Sequence, residues 1–536
     1  MGFRSRIDEG SETFAANRAA MLARVEALRA LEARAAAKSE ARRAVFDKRG
    51  QLSPRERLAA LLDPGMPWLE LYNLASYGVD DPDPETSVPG ASVICGIGFV
   101  AATRVMVWID DSGIDAGAST AMTVGKVRGV LDIARRQRLP LIHLVESAGA
   151  NLMSYTVELW AHGGALFAGL ARHSAAGLPV VTVLHGASTA GGAYFPGLSD
   201  HVIGVRGNGM AMLAGAALVK AATGEEATDA ALGGAEMHAE VTGLVDHLAE
   251  DDAEALGIAR DVVAGLGWAR AAAPRDIAPP ALSPETLAGA IPLDPTRPAD
   301  PRELVARIVD NSDFRETGAG YGPQTMCLTA RIMGHAVGIV ANHGPLDPEG
   351  AAKATHFLQT QEQAGQPVVF LHNTTGFLVG TDSERAGMIK HGSKLIQAVT
   401  NLTVPKLALY VGASFGAGNY AMCGLEYGPD FLFAWPSART GVMGGAQAAT
   451  TMAEVARRTA ARKGVAVDEA RLAAQCARIA AHFDAQSEAF HTSGRLLDMG
   501  VIDPRDTRRV LGFCLDTCAA ARARAPRPVQ FSVARP

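Results

Sequence analysis

The chain has few of the residues on which most side-chain chemistry relies. Six cysteines in 536 residues form no CxxC and no matching Cys/His spacing, which excludes a disulfide framework and a zinc-finger type of site. Cys514 and Cys518 lie four apart in a helical pattern and read as buried thiols, and such usage fits a reducing compartment. The fourteen histidines never stand as HExxH or HxxxH, so no metal site is expected. No run of about 20 uninterrupted apolar residues occurs, and the amino-terminal MGFRSRIDEGSETF has no apolar signal core. A cytoplasmic protein with no membrane span is expected. The net charge of −6 leaves no basic stripe for nucleic acid. No GxxxxGK[ST] phosphate loop exists, since Gly125-Lys126 is followed by Val127, and no GxGxxG opens a helix after the first strand. What remains is an ordinary buried-core chain, 48% hydrophobic and 20% charged, long enough for two domains of about 200–250 residues.

What the chain does have is a repeat. Gly186 to Tyr194 reads GASTAGGAY and Gly412 to Tyr420 reads GASFGAGNY, at a constant offset of 412 − 186 = 226. Each block follows a proline-led apolar run, Pro179 to Leu184 and Pro405 to Tyr410. A short β-rich run, then small residues, then a helical pattern marks a strand-to-helix turn. Pro140 and Pro367 open a second pair of equivalent strands, which Gly149 and Gly376 close at an offset of 227. The halves are thus two copies of one unit, separated by one indel.

Around these turns, strand-like runs (91–100, 105–109, 139–145, 179–184) alternate with helical stretches (121–138, 160–175), the signature of parallel strands with crossover helices. A long amphipathic helix or helical hairpin is expected over 11–45, and Ser53 caps a helix begun by Pro54 and ended at Asp63-Pro64-Gly65. The pattern restarts with strands at 331–341, 367–372 and 405–410, helices at 351–364 and 388–402, and a helical segment at 452–482. Eight of the 28 prolines fall within 274–301. The expected division is an amino-terminal domain (1–272), a Pro-rich linker (273–301) and a carboxy-terminal domain (302–536).

Gly191-Gly192 and Gly416-Ala417-Gly418 let main-chain N–H groups approach a ligand without an obstructing Cβ, at a helix start whose dipole favours negative charge. Close helix–strand packing also selects glycine, but the duplication favours a paired site. A competing pattern is Gly412-Ala413-Ser414-Phe415-Gly416, which matches the G-x-S-x-G nucleophile elbow. Its counterpart lacks the final glycine, and only His482 and His491 follow it in the required order. His372 and His391 read equally as satisfied or catalytic.

With these residues in view, the chain resembles the carboxyltransferase β subunits of biotin-dependent acyl-CoA carboxylases. The resemblance rests on RGQLSPRERLAALLDPGMPWLEL (Arg49 to Leu71), ESAGANL (Glu146 to Leu152), STAGGAYFPGLSD (Ser188 to Asp200) and LVKAATGE (Leu218 to Glu225). In the second half it rests on SFGAGNYAMCG (Ser414 to Gly424), WPSARTGVMGGAQAA (Trp435 to Ala449) and SGRLLDMGVID (Ser493 to Asp503). The geranyl-CoA and 3-methylcrotonyl-CoA branch is the most similar. Two segments depart from the family pattern: Ile114-Asp115-Ala116-Gly117, where a Val-Lys-Gly-Gly type of loop is usual, and Gly215-Ala216-Ala217, where Gly-Pro-Pro is usual.

The resemblance implies an α/β fold of two crotonase-like domains, each a superhelix of repeated ββα units. It implies CO2 transfer from carboxybiotin to an acyl-CoA, a branched 2-enoyl-CoA of geranyl or 3-methylcrotonyl type being carboxylated at its γ carbon. Another acyl-CoA (propionyl or longer), or the decarboxylation of a malonyl-type CoA, stays open. Gly191 and Gly192 would hold the thioester oxygen, and Ala417 and Gly418 the ureido oxygen of biotin. Ala148-Gly149 and Thr375-Gly376 would add backbone donors. Lys220 and Lys126 are candidates for coenzyme A phosphates, with a solvated lysine as the plainer reading. The implied partners are a biotinylated α subunit, which carries the biotin, and further copies of this chain in the β6 core of an α6β6 complex, with active sites between the amino half of one copy and the carboxy half of another.

Overall fold

A computed structural model of the chain describes residues 3–268, 275–292 and 299–529. Its contacts divide into an amino-terminal unit (29–273, 494–496 and 517–536) and a carboxy-terminal unit (1–28, 274–493 and 497–516). The division follows the halves of the chain except near its ends. Of the proline-rich stretch, 269–274 and 293–298 lie outside the described residues. The part between them carries a helical turn at Pro284–Thr286 and a short helix at Leu287–Ala290, whose residues are buried.

The amino-terminal unit carries β1 (Leu69–Glu70), β2 (Val93–Val100), β3 (Thr103–Asp110), β4 (Leu141–Val145), β5 (Val180–Leu184), β6 (Ala187–Thr189), β7 (His201–Val205), β8 (Met210–Met212) and β9 (His247–Ala249). One sheet runs in the order β1-β2-β3-β4-β5-β7-β9, and β6 pairs with β8 beside it. The sheet is antiparallel from β1 to β3 and parallel from β3 onward. β4 (LIHLV) and β5 (VVTVL) are buried at every position, as central parallel strands covered on both faces must be. The helices Ala121–Arg136 and Val157–Ala175 make the crossovers. Val107, Ile142, Val181 and Ile203 from the strands pack with Leu256 and Val263 of the helix Asp252–Gly265.

The carboxy-terminal unit repeats this plan with β10 (Phe314–Thr317), β11 (Thr325–Ile332), β12 (His335–Asn342), β13 (Val368–Thr374), β14 (Lys406–Phe415), β15 (Phe431–Ala434) and β16 (Arg439–Gly441). The order is β10 through β15, with β16 pairing the end of β14. Pairing is antiparallel up to β12 and parallel beyond it.

Ser53 caps the helix Pro54–Leu61 in a reciprocal box with Glu56, as its sequence indicates. Two expectations change. The strand expected over 331–341 is the end of β11, a two-residue turn and the start of β12. Met333 and Gly334 both have positive φ, 50° and 80°, the backbone a tight hairpin needs. Neither residue interrupts the apolar run enough to announce it. The segment 452–482 is two helices, Gly445–Lys463 and Glu469–Ser487, parted at the left-handed Gly464. No described helix is long and apolar enough to cross a membrane, and no described cluster of His, Cys, Asp and Glu could hold a metal.

His173 offers a stability test. Its Nε2–H donates to the Leu139 carbonyl at 2.9 Å, and burial lowers its pKa to about 4. The unfolded chain therefore takes up a proton below about pH 6.5 that the folded chain refuses until about pH 4. Stability from this group is complete above pH 6.5 and falls with decreasing pH, by roughly 1.4 kcal/mol per unit. In denaturant titrations at pH 7.5, 6 and 4.5, His173→Asn should be less stable than wild type at pH 7.5, with the gap narrowing toward pH 4.5.

Candidate active site

Both repeated turns sit where a parallel strand ends. After β5 the chain forms β6, reverses at Ala190 and enters the helical turn Ala190–Ala193, which runs into Tyr194–Gly197. After β14 it reverses at Gly416 and enters the helix Gly416–Ala421. The reversing residues share one conformation, φ 53° at Ala190 and 56° at Gly416. The apparent loss of the elbow's last glycine in the first copy is therefore a change of side chain and not of backbone, at a cost of about 1 kcal/mol for a left-handed alanine.

Gly191 and Gly192 are the second and third residues of one helical segment, and Ala417 and Gly418 are the second and third of the other. A helix's first turn leaves N–H groups without helical partners and carries its positive dipole end. Gly191 is half-buried and Ala417 exposed, while Gly192 and Gly418 are buried. A Cβ on Gly192 would lie 2.8 Å from the buried Ser188 Oγ, and one on Gly418 would lie 2.8 Å from the Gly376 Cα. Larger residues are excluded from both places.

The two loops expected beside the turns are there. A Cβ on Gly149 would lie 3.2 Å from the Thr189 carbonyl, and one on Gly376 would lie 3.5 Å from the Phe415 carbonyl. The N–H groups of Ala148, Gly149 and Gly376 are already engaged. Gly149 donates to Ser147 Oγ and Gly376 to Thr374 Oγ1, both at 3.2 Å, and Ala148 donates to the Ala116 carbonyl at 3.1 Å. These loops thus shape the turns with their main chain. Lys220, on the helix Ala216–Thr223, is exposed and paired with Glu226 at 2.6 Å. Lys126 is neither a phosphate ligand nor solvated. It is fully buried, and its Nζ donates to the Val93 and Gly90 carbonyls at 2.9 and 3.2 Å.

A buried charged network that the sequence does not announce braces the amino-terminal turn. Arg57 donates to Glu146 Oε2 at 2.7 Å and to Asp252 Oδ2 at 3.0 Å. Asp252 also accepts from the Leu52 N–H at 2.8 Å and pairs with His185 Nδ1 at 2.7 Å. Burial opposes the charge of Asp252, but the His185 hydrogen bond and the Arg57 charge hold its pKa below the usual carboxylate range. Burial, with the Arg57 charge, lowers the pKa of His185 and keeps it neutral. Glu146 opens the loop that leads to Gly149, and its side chain fills the space a Cβ on Gly186 would need, 2.5 Å away.

The carboxy-terminal turn has neutral support. Asn373 Oδ1 accepts from the Ala413 N–H at 3.3 Å and closes the space at Gly412. Ser414 Oγ accepts from Asn419 Nδ2 at 2.8 Å and meets His372 Nδ1 at 2.9 Å. The histidine at Ser414 is thus His372 and neither His482 nor His491. Both partners are 0% exposed, and burial lowers the His372 pKa to about 3. A fully enclosed hydroxyl beside so weak a base is a packing group, which removes the nucleophile-elbow reading.

The model of the carboxyl transferase domain matches residues 47–530. The chain belongs to the carboxyl transferase family. This carboxyltransferase is 48% identical over 473 residues (88% of each chain) to a probable biotin-dependent acyl-coenzyme A carboxylase beta2 subunit of Mycobacterium tuberculosis. It is 42% identical over 478 residues, 88% of this chain and 89% of the other, to that organism's biotin-dependent 3-methylcrotonyl-coenzyme A carboxylase beta1 subunit. The crystal structure of the P. aeruginosa geranyl-CoA carboxylase beta subunit superposes with a TM-score of 0.94 at 47% identity, each chain fully covered. The crotonase-like α/β fold and the carboxyltransferase reaction class expected from the sequence both stand.

Removing Arg57 would strand two buried carboxylates. Arg57→Leu in the carboxyltransferase should cost about 3–5 kcal/mol, read as a lowered denaturant midpoint. An unchanged midpoint would mean the network braces nothing.

Proposed function

We propose that this carboxyltransferase is the β subunit of a biotin-dependent acyl-CoA carboxylase, moving CO2 from carboxybiotin to the γ carbon of a branched 2-enoyl-CoA. The observation that carries this reading is the duplicated turn, with N–H donors at equivalent places and no room for larger side chains at Gly192 and Gly418. Gly191 and Gly192 hold the thioester oxygen as it gains negative charge, which belongs to the amino-terminal, acyl-CoA domain. Ala417 and Gly418 fit the ureido oxygen of biotin, since the exposed Ala417 opens the helix start, in the carboxy-terminal domain. Bound biotin supplies both the CO2 and the base. The chain's own groups orient the two oxygens and stabilise charge, and the histidines behind the turns are held neutral by burial.

The helix Val157–Ala175 supports a long acyl group. Trp160, Gly163, Gly164 and Phe167 share one face by helical spacing. A Cβ on Gly163 or Gly164 would meet nothing within 4 Å, and the Phe167 ring lies 3.4 Å from the Cβ position of Gly191. This face of the helix is open beside the turn, which fits a geranyl-type chain.

Apolar residues are bared in both copies. Leu152, Met153 and Trp160 are 81%, 96% and 72% exposed, and Val379 and Ile389 are 79% and 74% exposed. Such patches favour burial against further copies of the chain, in keeping with a β6 core that binds biotinylated α subunits in a cytoplasmic complex.

Reconstitution with a biotinylated α subunit and a panel of acyl-CoAs tests this reading. Loss of one oxyanion donor costs about 10²–10³ in rate, so Gly192→Val and Gly418→Val should each lower carboxylation at least that far. Only Gly418→Val should also impair release of CO2 from carboxybiotin without acyl-CoA. Full activity in either variant contradicts the assignment. Gly164→Phe should lower the preference for geranyl-CoA over 3-methylcrotonyl-CoA by about tenfold. An unaltered ratio would remove the groove from the acyl site.

A further inference from the structure

Ser188 and Ser414 occupy one position of the repeat, and both are 0% exposed. Their hydroxyls are placed differently. Ser414 Oγ is engaged by Asn419 Nδ2 and His372 Nδ1. At the 226- and 227-residue offsets between the copies, Ala193 stands where Asn419 does and Val145 where His372 does. The amino-terminal copy thus lacks both partners and still carries the hydroxyl. Ser188 Oγ has no hydrogen-bond partner among the described residues. A buried hydroxyl in that state costs stability, and alanine would remove the cost.

The orphaned hydroxyl lies against the turn. A Cβ on Gly192 would stand 2.8 Å from Ser188 Oγ, with Ser147 Cβ and the Ser147 carbonyl next, each at 3.6 Å. The Ser147 groups are committed. Its carbonyl accepts from the Thr189 N–H at 3.1 Å, and its Oγ donates to the Gly117 carbonyl at 2.9 Å and accepts from the Gly149 N–H at 3.2 Å. Of the groups packed beneath Gly192, Ser188 therefore supplies the dipole that is free to reorient. The other copy differs here too. The atoms nearest a Cβ on Gly418 are the Gly376 main chain at 2.8 and 3.1 Å and the Thr374 methyl at 3.2 Å, with no hydroxyl among them.

We propose that Ser188 is a positioning residue for the acyl-CoA half of the reaction, acting through the Gly192 peptide. The proposal rests on the reading of Gly191 and Gly192 as holders of the thioester oxygen. A hydroxyl with no fixed partner can rotate its hydrogen toward negative charge. As the thioester oxygen becomes an anion at the turn, the O–H dipole behind Gly192 turns toward it and lowers its energy. The uncharged oxygen of bound substrate draws little from the same dipole. The interaction grows with the charge and so favours the transition state over the ground state. That role explains a hydroxyl held here without a structural partner.

Steady-state kinetics of the reconstituted complex, paired with denaturant titration, test this. Ser188→Ala should leave the denaturant midpoint unchanged or raised, since no hydrogen bond is lost. Its kcat should fall about tenfold, less than for a direct oxyanion donor, with KM for the acyl-CoA unchanged. Ser414→Ala is the converse control and should lower the midpoint, because Asn419 and His372 lose a partner. Ser188→Thr and Ser188→Val share one shape and differ in the hydroxyl. The threonine variant should turn over several-fold faster than the valine variant, whatever the added bulk costs both. Wild-type kcat in Ser188→Ala, or equal kcat in the threonine and valine variants, overturns the proposal. If Gly192→Val is inactive while Ser188→Ala is fully active, the proposal falls alone. A wild-type complex that carboxylates no CoA ester removes the functional reading and the proposal with it.

Discussion

Main chain packed directly on main chain is the constraint from which the rest follows. At Gly149 the loop backbone meets the Thr189 carbonyl, and at Gly376 it meets both the Phe415 carbonyl and Gly418. A Cβ would be crowded at Gly149, and both loops close on glycines because their φ is positive, 82° and 118°. The adjacent hydroxyls, Ser147 and Thr374, secure each loop in the same way. With the loop fixed, the turn packed against it opens its helical segment with Gly191 and Gly192 in one copy and Ala417 and Gly418 in the other. A site of this kind is built from peptide groups and clearances, and it can be copied whole while the surrounding side chains drift.

The two copies have drifted in how they are braced. Behind the amino-terminal turn lie two buried carboxylates, Arg57 and a neutral histidine. Behind the carboxy-terminal turn lie Asn373, Asn419, Ser414 and His372, all uncharged. Buried ion pairs contribute little net stability but are costly to break, so the charged version ties its geometry to the presence of every member. The neutral version holds its turn through uncharged hydrogen-bonding groups. In the amino-terminal copy Arg57 is shared by Glu146 and Asp252, and the remaining negative charge is met from outside by Arg49 at 3.5 Å.

What the sequence made legible was whatever depends on short spacing. The repeated small-residue blocks, the Ser53 cap and the parallel strands could all be read, because clearance, capping and burial act over a few residues. The hairpin at Met333-Gly334 was hidden, since its turn carries no Asn-Gly signal and interrupts neither apolar run. Arg57 and Lys126 were missed for another reason, although a signal existed. Arg57 stands with Pro54 and Leu61, and Lys126 with Thr123 and Val130, on the buried stripes of their helices. A charge on a core-facing stripe indicates a buried partner, but Asp252 lies 195 residues from Arg57, and no local pattern points to it. Lys126 has only carbonyls as partners, which sequence does not mark at all.

The departure at Ile114 to Gly117 shows which part of the family pattern is structural. Gly117 is retained because a Cβ there would lie 2.4 Å from the Glu146 carbonyl. Asp115 and Ala116 replace other residues while keeping left-handed backbone, φ 48° and 54°, a conformation costing non-glycine residues of order 1 kcal/mol each. The path survives because Ala148 N–H donates to Ala116, Ser147 Oγ donates to the Gly117 carbonyl at 2.9 Å, and Ser119 N–H donates to Gly149 at 2.8 Å. Both altered side chains are exposed, and Ala116 lines a cavity beside the turn. A lysine's charge in the family pattern becomes a carboxylate here, whose field adds to burial in raising the pKa of Asp80. The substitution therefore changes the charge and contour presented beside the amino-terminal turn.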